Sequence, residues 1–521
     1  MEPGFFRDRF ASLPPGRNGS GRGGLSHCVS FECRNPARAV SLSDLPSHAA
    51  RPSRRHADLG GDFFDVVEAA RFPETILRVR NQPWAARVGL DGLSDAEWIA
   101  RFGRFEPLPG SFPAPLALRY HGHQFRSYNP DLGDGRGFLF AQLHDLRDGR
   151  LLDLATKGSG TTPWSRAGDG RLTLKGGVRE VLATALLEAQ GVNTSKSFSL
   201  IETGEALERG DEPSPTRSAV LVRLSHGHIR IGSFQRFLAL DEPGNVARLL
   251  DHTIATHMPD LWRESVAERA VAFLGEVTRR VARMGGQWAA AGFVHGVLNT
   301  DNINVTGESF DYGPWRWLPA YDPNFTAAYF DTQGLYSFGR QPEALYWNLA
   351  RLADCLLTLA PQADLEAVLK GFGPALQEGF ADALLARLGL AKAGQDETDR
   401  LVGAFWRFLA ESGAPFEQTF FDWYGGTASA DRAAASPSAA LYAGESFAPV
   451  RAALQGMAPA AGANLAHPYF AQARPCTLLI DEVEALWAPI ASSDDWSVLS
   501  DKLAAIARMA EAYGTAPLPV G

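Results

Sequence analysis

A polar segment near the middle of the chain contains residues that could hold a metal ion and move a proton. The segment 295–314 reads H-G-V-L-N-T-D-N-I-N-V-T-G-E-S-F-D-Y-G-P and includes His295, Asp301, Asn302 and Asp311. Amide and carboxylate oxygens, such as those of Asn302 and Asp311, are the ligands that Mg²⁺ prefers. A carboxylate such as that of Asp301 can orient a hydroxyl group or accept its proton. These residue types predict a metal-binding loop with a candidate proton acceptor beside it.

The spacing of these residues resembles the catalytic loop of protein kinases, with one difference. In kinases the pattern is His-x-Asp-x-x-x-x-Asn followed by a second Asp before Gly. The first Asp orients the attacking hydroxyl, while Asn and the later Asp hold magnesium. Val297 occupies the position of the first Asp here, and valine cannot accept a proton. Either the chain binds a nucleotide without chemistry, or it performs different chemistry with another carboxylate, such as Asp301. For His295 we expect a structural role, with a hydrogen bond to the backbone of the loop.

The composition is that of an ordinary globular protein. With 521 residues, of which 45% are hydrophobic and 21% charged, the chain can bury a large core, and its length suggests about two to four domains. The net charge of −9 argues against a nucleic-acid partner, which would need a basic face. The sequence lacks the run of about 18 or more apolar residues that would predict a membrane span, and its N-terminus lacks the apolar core of a secretory signal. We therefore expect a cytoplasmic protein.

The first part of the chain differs in composition from the rest. Residues 1–58 are rich in Arg, Gly, Ser and Pro and lack a sustained apolar period, which predicts a mostly disordered leader. This leader could be a targeting presequence or the product of an over-long start assignment. The four cysteines of the chain are too few and too scattered for a disulfide framework, so we expect reduced thiols.

Local patterns place two candidate residues on a strand and on the helix that follows it. Between 138 and 156, two apolar runs flank a polar Asp-Gly turn, which predicts a β-hairpin with Lys157 at the end of its second strand. Apolar residues at helical spacing then begin at Val178 and end before Gly191, a typical C-terminal cap. Glu180 lies on this helix, outside the apolar stripe.

The next patterns predict two more strands and then a largely helical chain. The strands are predicted at 219–224 and 228–234, and each carries an arginine, Arg223 and Arg230. A long amphipathic helix follows and leads directly to His295. This long helix is predicted at 266–288; the remaining elements are predicted as helix at 343–425 and 475–513, with a low-complexity connector at 428–440.

The order of these elements matches the order in a protein kinase. We therefore predict an α+β, protein-kinase-like bilobal fold with a mainly antiparallel sheet in its N-terminal lobe. The predicted division is 59–240 for this lobe, 241–427 for a helical C-terminal lobe, and 428–521 for the connector and a C-terminal helical extension. In such a fold, Lys157 would approach the nucleotide phosphates and Glu180 would hold it by an ion pair. The alternative is that both are ordinary solvent-facing charges.

A glycine-rich loop before the hairpin could bind phosphate. In the string L-G-D-G-R-G, Gly133 and Gly135 allow backbone amides to approach a phosphate, and Arg136 adds a forked donor. The tripeptide D-G-R occurs again at 148–150 and 169–171, and simple Asp-Gly turns are the alternative explanation. We accept that alternative for the copy at 148–150.

Short strings along the chain are the most specific signal in the sequence. They are G-H-Q-F at 122–125, L-G-D-G-R-G at 132–137, T-K-G-S-G-T-T-P-W-S-R-A-G-D-G-R at 156–171, V-R-E-V-L at 178–182, S-H-G-H-I-R-I-G-S-F at 225–234, H-G-V-L-N-T-D-N at 295–302 and D-Y-G-P at 311–314. In content and in order they resemble the selenoprotein O family of protein adenylyltransferases. The resemblance runs from about residue 63 to at least residue 345.

This resemblance implies a fold, a reaction and its reactants. The implied fold is kinase-like and binds ATP in a reversed orientation, so that the α-phosphate faces the acceptor. The implied reaction transfers AMP, rather than phosphate, to Ser, Thr or Tyr hydroxyls of other proteins, with UMP transfer from UTP as a side activity. ATP is then a substrate, and Mg²⁺, with Mn²⁺ as the alternative, is the implied ion. Neither a nucleic-acid partner nor a membrane is expected.

The family's functional residues carry over to matching positions of this chain. Asp301 is the implied proton acceptor, and Asn302 and Asp311 are the implied metal ligands. Lys157 and Glu180 are the implied ion pair. The implied nucleotide contacts are Gly133, Gly135, Arg136, Lys157, Asp169, Gly170, Arg223, Arg230 and Asp311.

The chain departs from the family pattern at a helix start and at its cysteines. The helix start reads L-K-G-G-V-R-E where the family usually has L-R-S-S-I-R-E, and we expect the ion pair to survive this change. The stretch Y-D-P-N-F-T-A-A-Y-F at 321–330 lacks the cysteine that many members place there, and the C-terminus lacks their terminal Cys or selenocysteine. Redox control through a disulfide between these regions is therefore not expected.

Two alternatives to AMP transfer stay open at this point. A conventional phosphotransferase would use Asp301 in place of the missing Asp, and a binding-only pseudokinase scaffold would perform no chemistry. A scaffold does not need a metal pair, yet Asn302 and Asp311 are both present. A conventional kinase would not carry valine where its chemistry needs Asp. The acceptor proteins and the oligomeric state have no visible signal in the sequence.

Overall fold

Strands make up much of the N-terminal half of the protein. The structure, a computed structural model, describes residues 49–210 and 212–517. The strands are β1 (Pro52–Ser53), β2 (Phe64–Val66), β3 (Ile76–Arg80), β4 (Leu116–Leu118), β5 (Gly122–Gln124), β6 (Ser127–Asn129), β7 (Leu139–His144), β8 (Leu151–Lys157), β9 (Leu172–Thr173), β10 (Lys196–Leu207), β11 (Thr216–Ser225), β12 (Phe293–Val294) and β13 (Arg316–Trp317).

Most of these strands form one nine-stranded antiparallel sheet. Its order is β2-β4-β7-β8-β11-β10-β3, with β1 paired to β7 and β9 paired to β11. Strands β5 and β6 form a separate hairpin, and β12 pairs with β13. The central position of β8 and β11 places Lys157, at the end of β8, directly opposite Leu221 of β11.

Helices cover the sheet and form most of the C-terminal half. They are α1 (Gln82–Arg87), α2 (Asp95–Phe102), α3 (Leu174–Ala189), α4 (Ile231–Ala239), α5 (Pro243–His257), α6 (Val266–Ala291), α7 (Gln341–Leu356), α8 (Gln362–Leu369), α9 (Phe372–Arg387), α10 (Gln395–Ser412), α11 (Phe416–Asp422), α12 (Ala430–Ala435), α13 (Ala439–Ala443), α14 (Ala448–Leu454), α15 (Ile480–Ser493) and α16 (Ser497–Tyr513). Within the described ranges, none of them is both long enough and apolar enough to cross a membrane.

Both faces of the central sheet are covered by helices. On β11, Leu221 packs into a core that includes Leu182 of α3. Its neighbours Val220 and Val222 point the other way and pack into a core that includes Trp98 of α2. Because both faces are buried, the middle of β11 is a continuous apolar run, A-V-L-V, rather than an alternating one.

The helical half is organised around α6 and is continuous with the sheet through a shared core. Phe273 and Val281 of α6 belong to the same buried cluster as Leu182 of α3. The last helix, α16, also packs against α3 and contributes Ile506 and Met509 to that cluster. The C-terminal helices therefore pack on the rest of the protein rather than standing apart from it.

Several sequence predictions are confirmed. The α+β class and the mainly antiparallel sheet are present. The predicted hairpin is β7–β8, in which His144 pairs with Leu151. The predicted helix is α3, capped at Gln190 and followed by Gly191 with φ of +78°. Helix α6 spans the range expected from its apolar stripe. The bilobal division stays a prediction.

The strand predicted at 228–234 is wrong, because α4 begins inside it. Only Arg230 pairs as in a strand, through an isolated antiparallel bridge to Asn304. Arg230 then caps α4, and its backbone N–H donates to Ser233 Oγ at 3.2 Å. Ile231 and Phe234 are fully buried on one face of the helix. A short run such as I-R-I-G-S-F fits both periods, and packing decided for helix.

Two other segments differ from the sequence expectation. Residues 49–58 were predicted as part of the leader, but β1 pairs with β7 and His56 is buried; the rest of the predicted leader lies outside the described residues. The connector predicted at 428–440 contains α12 and the start of α13, with Ala433 buried. Alanine has the highest intrinsic helix propensity, so an alanine-rich segment of low complexity favours helix rather than a loop.

Candidate active site

The ion pair predicted between a strand and a facing helix is present. Lys157 lies at the end of β8 and Glu180 lies in the second turn of α3. Both side chains are buried, and the Lys157 ammonium donates to Glu180 Oε1. The same ammonium donates to Asp311 Oδ1 at 2.8 Å. The pair therefore connects the sheet, α3 and the candidate metal-binding segment.

Asp311 is the point where the candidate cations converge. Besides Lys157, Arg223 Nη1 donates to Asp311 Oδ1 at 3.0 Å. Burial alone would raise the pKa of Asp311, but the charges of Lys157, Arg223 and Arg230 hold that pKa well below its usual value. The residue adopts a left-handed backbone with φ of +64°. An ionised carboxylate is thus fixed at the end of the sheet.

Arg230 is held in a buried position by an acidic and an aromatic partner. Its Nη2 donates to Asp134 Oδ1 at 3.2 Å. Its guanidinium lies 4.2 Å from the ring centroid of Tyr120 and 5.2 Å from that of Phe310. Arg223 also approaches Phe310, at 5.6 Å. Phe310 therefore stacks against the two arginines that the sequence marked as phosphate contacts.

Asp301 is buried in a 3₁₀ turn, Thr300–Asn302. Its Oδ1 has no hydrogen-bond partner among the described residues. Burial raises the pKa of Asp301 to about 6, although Arg230 opposes this rise. Next to it, Asn302 Nδ2 donates to the backbone oxygen of Val297 at 3.1 Å, which leaves the Asn302 side-chain oxygen for another ligand.

The β5–β6 hairpin and α4 position Asp301. The backbone N–H of His123 in β5 donates to Thr300 Oγ1 at 2.7 Å. A side chain at Gly122 would come within 3.3 Å of Asp301 Oδ1, so glycine allows this close approach. At Gly232, the start of α4, an added Cβ would lie 2.1 Å from the backbone oxygen of His121.

The glycine-rich loop packs against the segment that follows β8. A Cβ at Gly133 would lie 2.4 Å from the Trp164 ring, and one at Gly135 would lie 2.6 Å from the Trp164 backbone oxygen. Thr162 Oγ1 donates to the backbone oxygen of Asp134 at 2.6 Å. The Arg136 side chain is exposed at the tip. Its backbone oxygen accepts the N–H of the residue after Lys157 at 2.7 Å, which brings the loop to the end of β8.

Of the neighbours Asp169 and Gly170, only Gly170 lies close to the end of β8. The backbone oxygen of Gly170 accepts the N–H of Gly160 at 3.1 Å, so this turn lies beside the chain leaving β8. The Asp169 carboxylate is exposed and pairs with Arg209 at 2.8 Å, rather than with Lys157 or Arg223. The structure thus brings Gly170 close to the cationic end of β8, while Asp169 has a partner of its own.

The histidines of the region have structural contacts. His295 is buried, and its Nε2 hydrogen-bonds with the backbone oxygen of Phe310 at 3.0 Å, which confirms the expected backbone contact. His121 Nδ1 lies 2.7 Å from the Tyr128 hydroxyl. His228 Nδ1 lies 3.4 Å from Asp153. Within residues 49–210 and 212–517, no group of three or more His, Cys, Asp or Glu residues could hold a metal ion.

Three residues of the site were missed by sequence reasoning. Asp134 lies inside the string L-G-D-G-R-G, whose glycines and arginine were singled out while its acid was not. Phe310 directly precedes Asp311, and Tyr120 precedes the His121 turn. Nothing in the local sequence shows that these rings cover Arg230, because each contact joins residues far apart in the chain.

Comparison with known proteins agrees with this arrangement. A model of the family "Protein adenylyltransferase SelO" matches residues 48–507. The chain belongs to this family. Membership makes it a nucleotidyltransferase enzyme.

Relatives within the SelO family include three proteins named "Protein nucleotidyltransferase YdiU". One from Gloeobacter violaceus is 45% identical over 471 residues, covering 88% of this chain and 95% of the relative. One from Synechococcus elongatus is 51% identical over 350 residues, covering 67% of this chain and 68% of the relative. One from Vibrio cholerae is 38% identical over 369 residues, covering 70% and 73%.

Proposed function

We propose that this SelO-family chain transfers AMP from ATP to Ser, Thr or Tyr hydroxyls of other proteins, on a bilobal kinase-like fold. The observation that best supports this proposal is the contact of Lys157 and Arg223 with Asp311. A second carboxylate, Asp301, is buried, and the charge of Arg230 lowers its pKa against the effect of burial. Buried cations gathered at one carboxylate suit a polyphosphate, and a separate buried carboxylate with one oxygen, Oδ1, unpartnered among the described residues suits a proton acceptor.

The cationic groups account for binding of the triphosphate. Lys157, Arg223 and Arg230 are buried and converge near Asp311, whereas Arg136 is exposed on the glycine-rich loop. Guanidinium groups offer forked donors that match phosphate oxygens. Backbone amides of the glycine-rich turns complete the proposed nucleotide site. The residues proposed to contact the nucleotide there are Gly133, Gly135, Asp169 and Gly170.

Asn302 and Asp311 fit a divalent ion that is shared with the nucleotide. Mg²⁺ usually takes one or two protein oxygens and completes its octahedron with phosphate oxygens and water. Asp311 is held ionised, and the Asn302 amide nitrogen is already engaged by Val297, so the amide oxygen is the atom of this side chain that would bind a cation. When bound, Mg²⁺ or Mn²⁺ would neutralise charge on the phosphate oxygens.

Asp301 acts as proton acceptor in the proposed reaction. The acceptor oxygen forms a bond to the α-phosphorus, and the bond from this phosphorus to the bridging oxygen of the β-phosphate breaks. Pyrophosphate leaves, and the hydroxyl proton moves to Asp301. With a pKa of about 6, most of the Asp301 carboxyl is ionised at pH 7 and can take this proton.

Labelled nucleotides test the reaction directly. Purified protein is incubated with ATP labelled at the α- or the γ-phosphate in the presence of Mg²⁺ and acceptor proteins. We expect the α-label to stay on protein. Retention of the γ-label would mean phosphorylation, and loss of both labels would mean a binding-only scaffold. A parallel reaction with α-labelled UTP tests the proposed side activity.

The pKa of Asp301 predicts how activity depends on pH. A proton acceptor works only when deprotonated, so AMP transfer should rise as pH increases from about 5 to about 7, with a midpoint near the Asp301 pKa of about 6. The measurement is kcat/KM for α-label transfer across this range at constant ionic strength. A profile that stays level down to pH 5 would contradict the assignment. Residual activity of Asp301→Asn should lack this acid limb.

A further inference from the structure

Three large aromatic side chains are exposed together on the surface near the candidate proton acceptor. Phe125, Tyr329 and Phe330 are 38%, 81% and 48% exposed. Their rings are in contact, since the centroids of Phe125 and Phe330 lie 5.8 Å apart and those of Tyr329 and Phe330 lie 5.1 Å apart. We call these three residues the aromatic platform. Scattered exposed apolar residues are ordinary, but a contiguous group suggests an interaction site.

The turn that presents Phe125 has an unfavourable backbone. Phe125 and Arg126 connect β5 to β6, with φ of +50° and +64°. Two-residue hairpin turns of this kind prefer Asn-Gly or Gly-Gly, because other L-residues in the left-handed region cost about 1 kcal/mol or more each. Such strain is typical of functional sites. An aromatic residue therefore occupies a position where glycine would have a lower backbone energy.

Contacts with the rest of the protein offset this strain. The Phe125 backbone N–H donates to Asn299 Oδ1 at 3.0 Å, and the Phe125 ring lies 4.9 Å from that of Tyr336. The Tyr336 hydroxyl donates to the same Asn299 oxygen at 2.8 Å. Arg126 pairs with Glu343 at 2.6 Å. The turn is thus held in one position.

The platform is continuous with the segment that carries Asp301. Asn299, which receives the hydrogen bonds from the turn, precedes Asp301 by two positions. In the same hairpin, Gly122 lies against Asp301 Oδ1 and His123 hydrogen-bonds to Thr300. The phosphate-binding candidates Lys157 and Arg223 instead come from β8 and β11. The platform is therefore attached to the segment of Asp301, and not to the strands that carry Lys157 and Arg223.

We propose that the aromatic platform binds the acceptor polypeptide, through an aromatic or aliphatic side chain that flanks the modified hydroxyl. This inference rests on the proposed AMP transfer. The neighbouring Arg126 is already paired with Glu343, so the exposed rings offer an apolar contact rather than a charged one. Exposed aromatic anchors contribute much of the binding energy in protein interfaces. The platform selects acceptors, while Asp301 serves the chemistry.

The test compares platform variants with the full-length wild type. Proteins of a cell lysate are labelled with α-labelled ATP, the modified sites are sequenced, and the labelled segments are made as peptides for kinetics. We expect aromatic or aliphatic residues to be enriched next to modified hydroxyls, compared with unmodified hydroxyls of the same proteins. Phe330→Ala and Tyr329→Ala should raise KM for these peptides about tenfold, with kcat and ATP affinity unchanged.

Two control variants separate binding from general damage. Tyr329→Phe keeps the ring and should retain wild-type KM. Trp262→Ala removes another exposed aromatic side chain, 46% exposed and in contact with Arg269, and should leave KM unchanged. Equal KM values for Phe330→Ala, Tyr329→Ala and the wild type, or no apolar enrichment around modified sites, would overturn the platform while AMP transfer stands. Absence of any α-label on protein from the wild type would overturn both.

Discussion

Replacing Asp301 with asparagine is expected to reduce AMP transfer by about 10²- to 10⁴-fold, the usual contribution of a positioned general base. Asparagine keeps the shape of the side chain but cannot accept the proton. ATP affinity should change little, because Lys157, Arg223 and Arg230 are untouched. Single-turnover transfer from α-labelled ATP measures the first effect, and equilibrium binding of ATP with Mg²⁺ measures the second. Full activity in Asp301→Asn would refute the catalytic assignment.

Asp301→Asn should not destabilise the protein at pH 7. Burial raises the Asp301 pKa to about 6, above that of an exposed Asp, so the folded state disfavours the ionised form. Above the pKa of the unfolded state this costs stability, and a neutral amide removes the cost. The free energy of unfolding should therefore be equal to the wild-type value or higher. The exposed Asp131 offers a matched control, since Asp131→Asn should alter neither activity nor stability.

Lys157→Met is expected to affect both ATP binding and folding. The change removes the ammonium that contacts Glu180 and Asp311, so two carboxylates lose a partner in a buried setting. Removing one member of a buried ion pair typically costs about 3–5 kcal/mol. ATP affinity should fall as well, because the remaining arginines lack this phosphate contact. Urea unfolding and ATP binding measure the two effects. Wild-type ATP affinity in the folded variant would contradict the phosphate role.

A double variant separates the two effects of Lys157. In Lys157→Met/Glu180→Gln, the buried carboxylate of Glu180 is neutralised, so much of the lost stability should return, whereas ATP affinity should stay low. Lys392→Met is the matched control, because this lysine is 71% exposed and pairs with Asp382 on the surface. Surface pairs contribute about 0–1 kcal/mol, so this control should keep nearly all its stability.

The sequence was sufficient for features that depend on local patterns and on their order. The hairpin β7–β8 follows from two apolar runs around an Asp-Gly turn, and α3 from apolar residues at helical spacing. Together they place Lys157 at a strand end and Glu180 on the next helix. Their contact could be predicted because the order of elements puts that helix against the strand. The strings shared with the family then indicated Asp301, Asn302 and Asp311 as candidate site residues.

Local patterns failed where two periods fit the same residues. Ile229, Ile231 and Phe234 suit a strand or a helix, and the burial of Ile231 and Phe234 on one face of α4 decided for helix. The composition of the alanine-rich segment 428–440 is typical of a connector, yet it forms α12 and the start of α13. Packing against residues distant in the chain set the outcome in the first case, and the high helix propensity of alanine favoured the second.

The sequence by itself determined most of the elements, the order of the chemical groups and the expectation that Lys157 pairs with Glu180. Only the tertiary structure decided that Lys157 and Arg223 share Asp311, and that Arg230 pairs with Asp134. It also decided the burial that raises the pKa of Asp301. Charge pairing and desolvation depend on distances between residues far apart in the chain, and those distances exist only once the helices and strands have packed together.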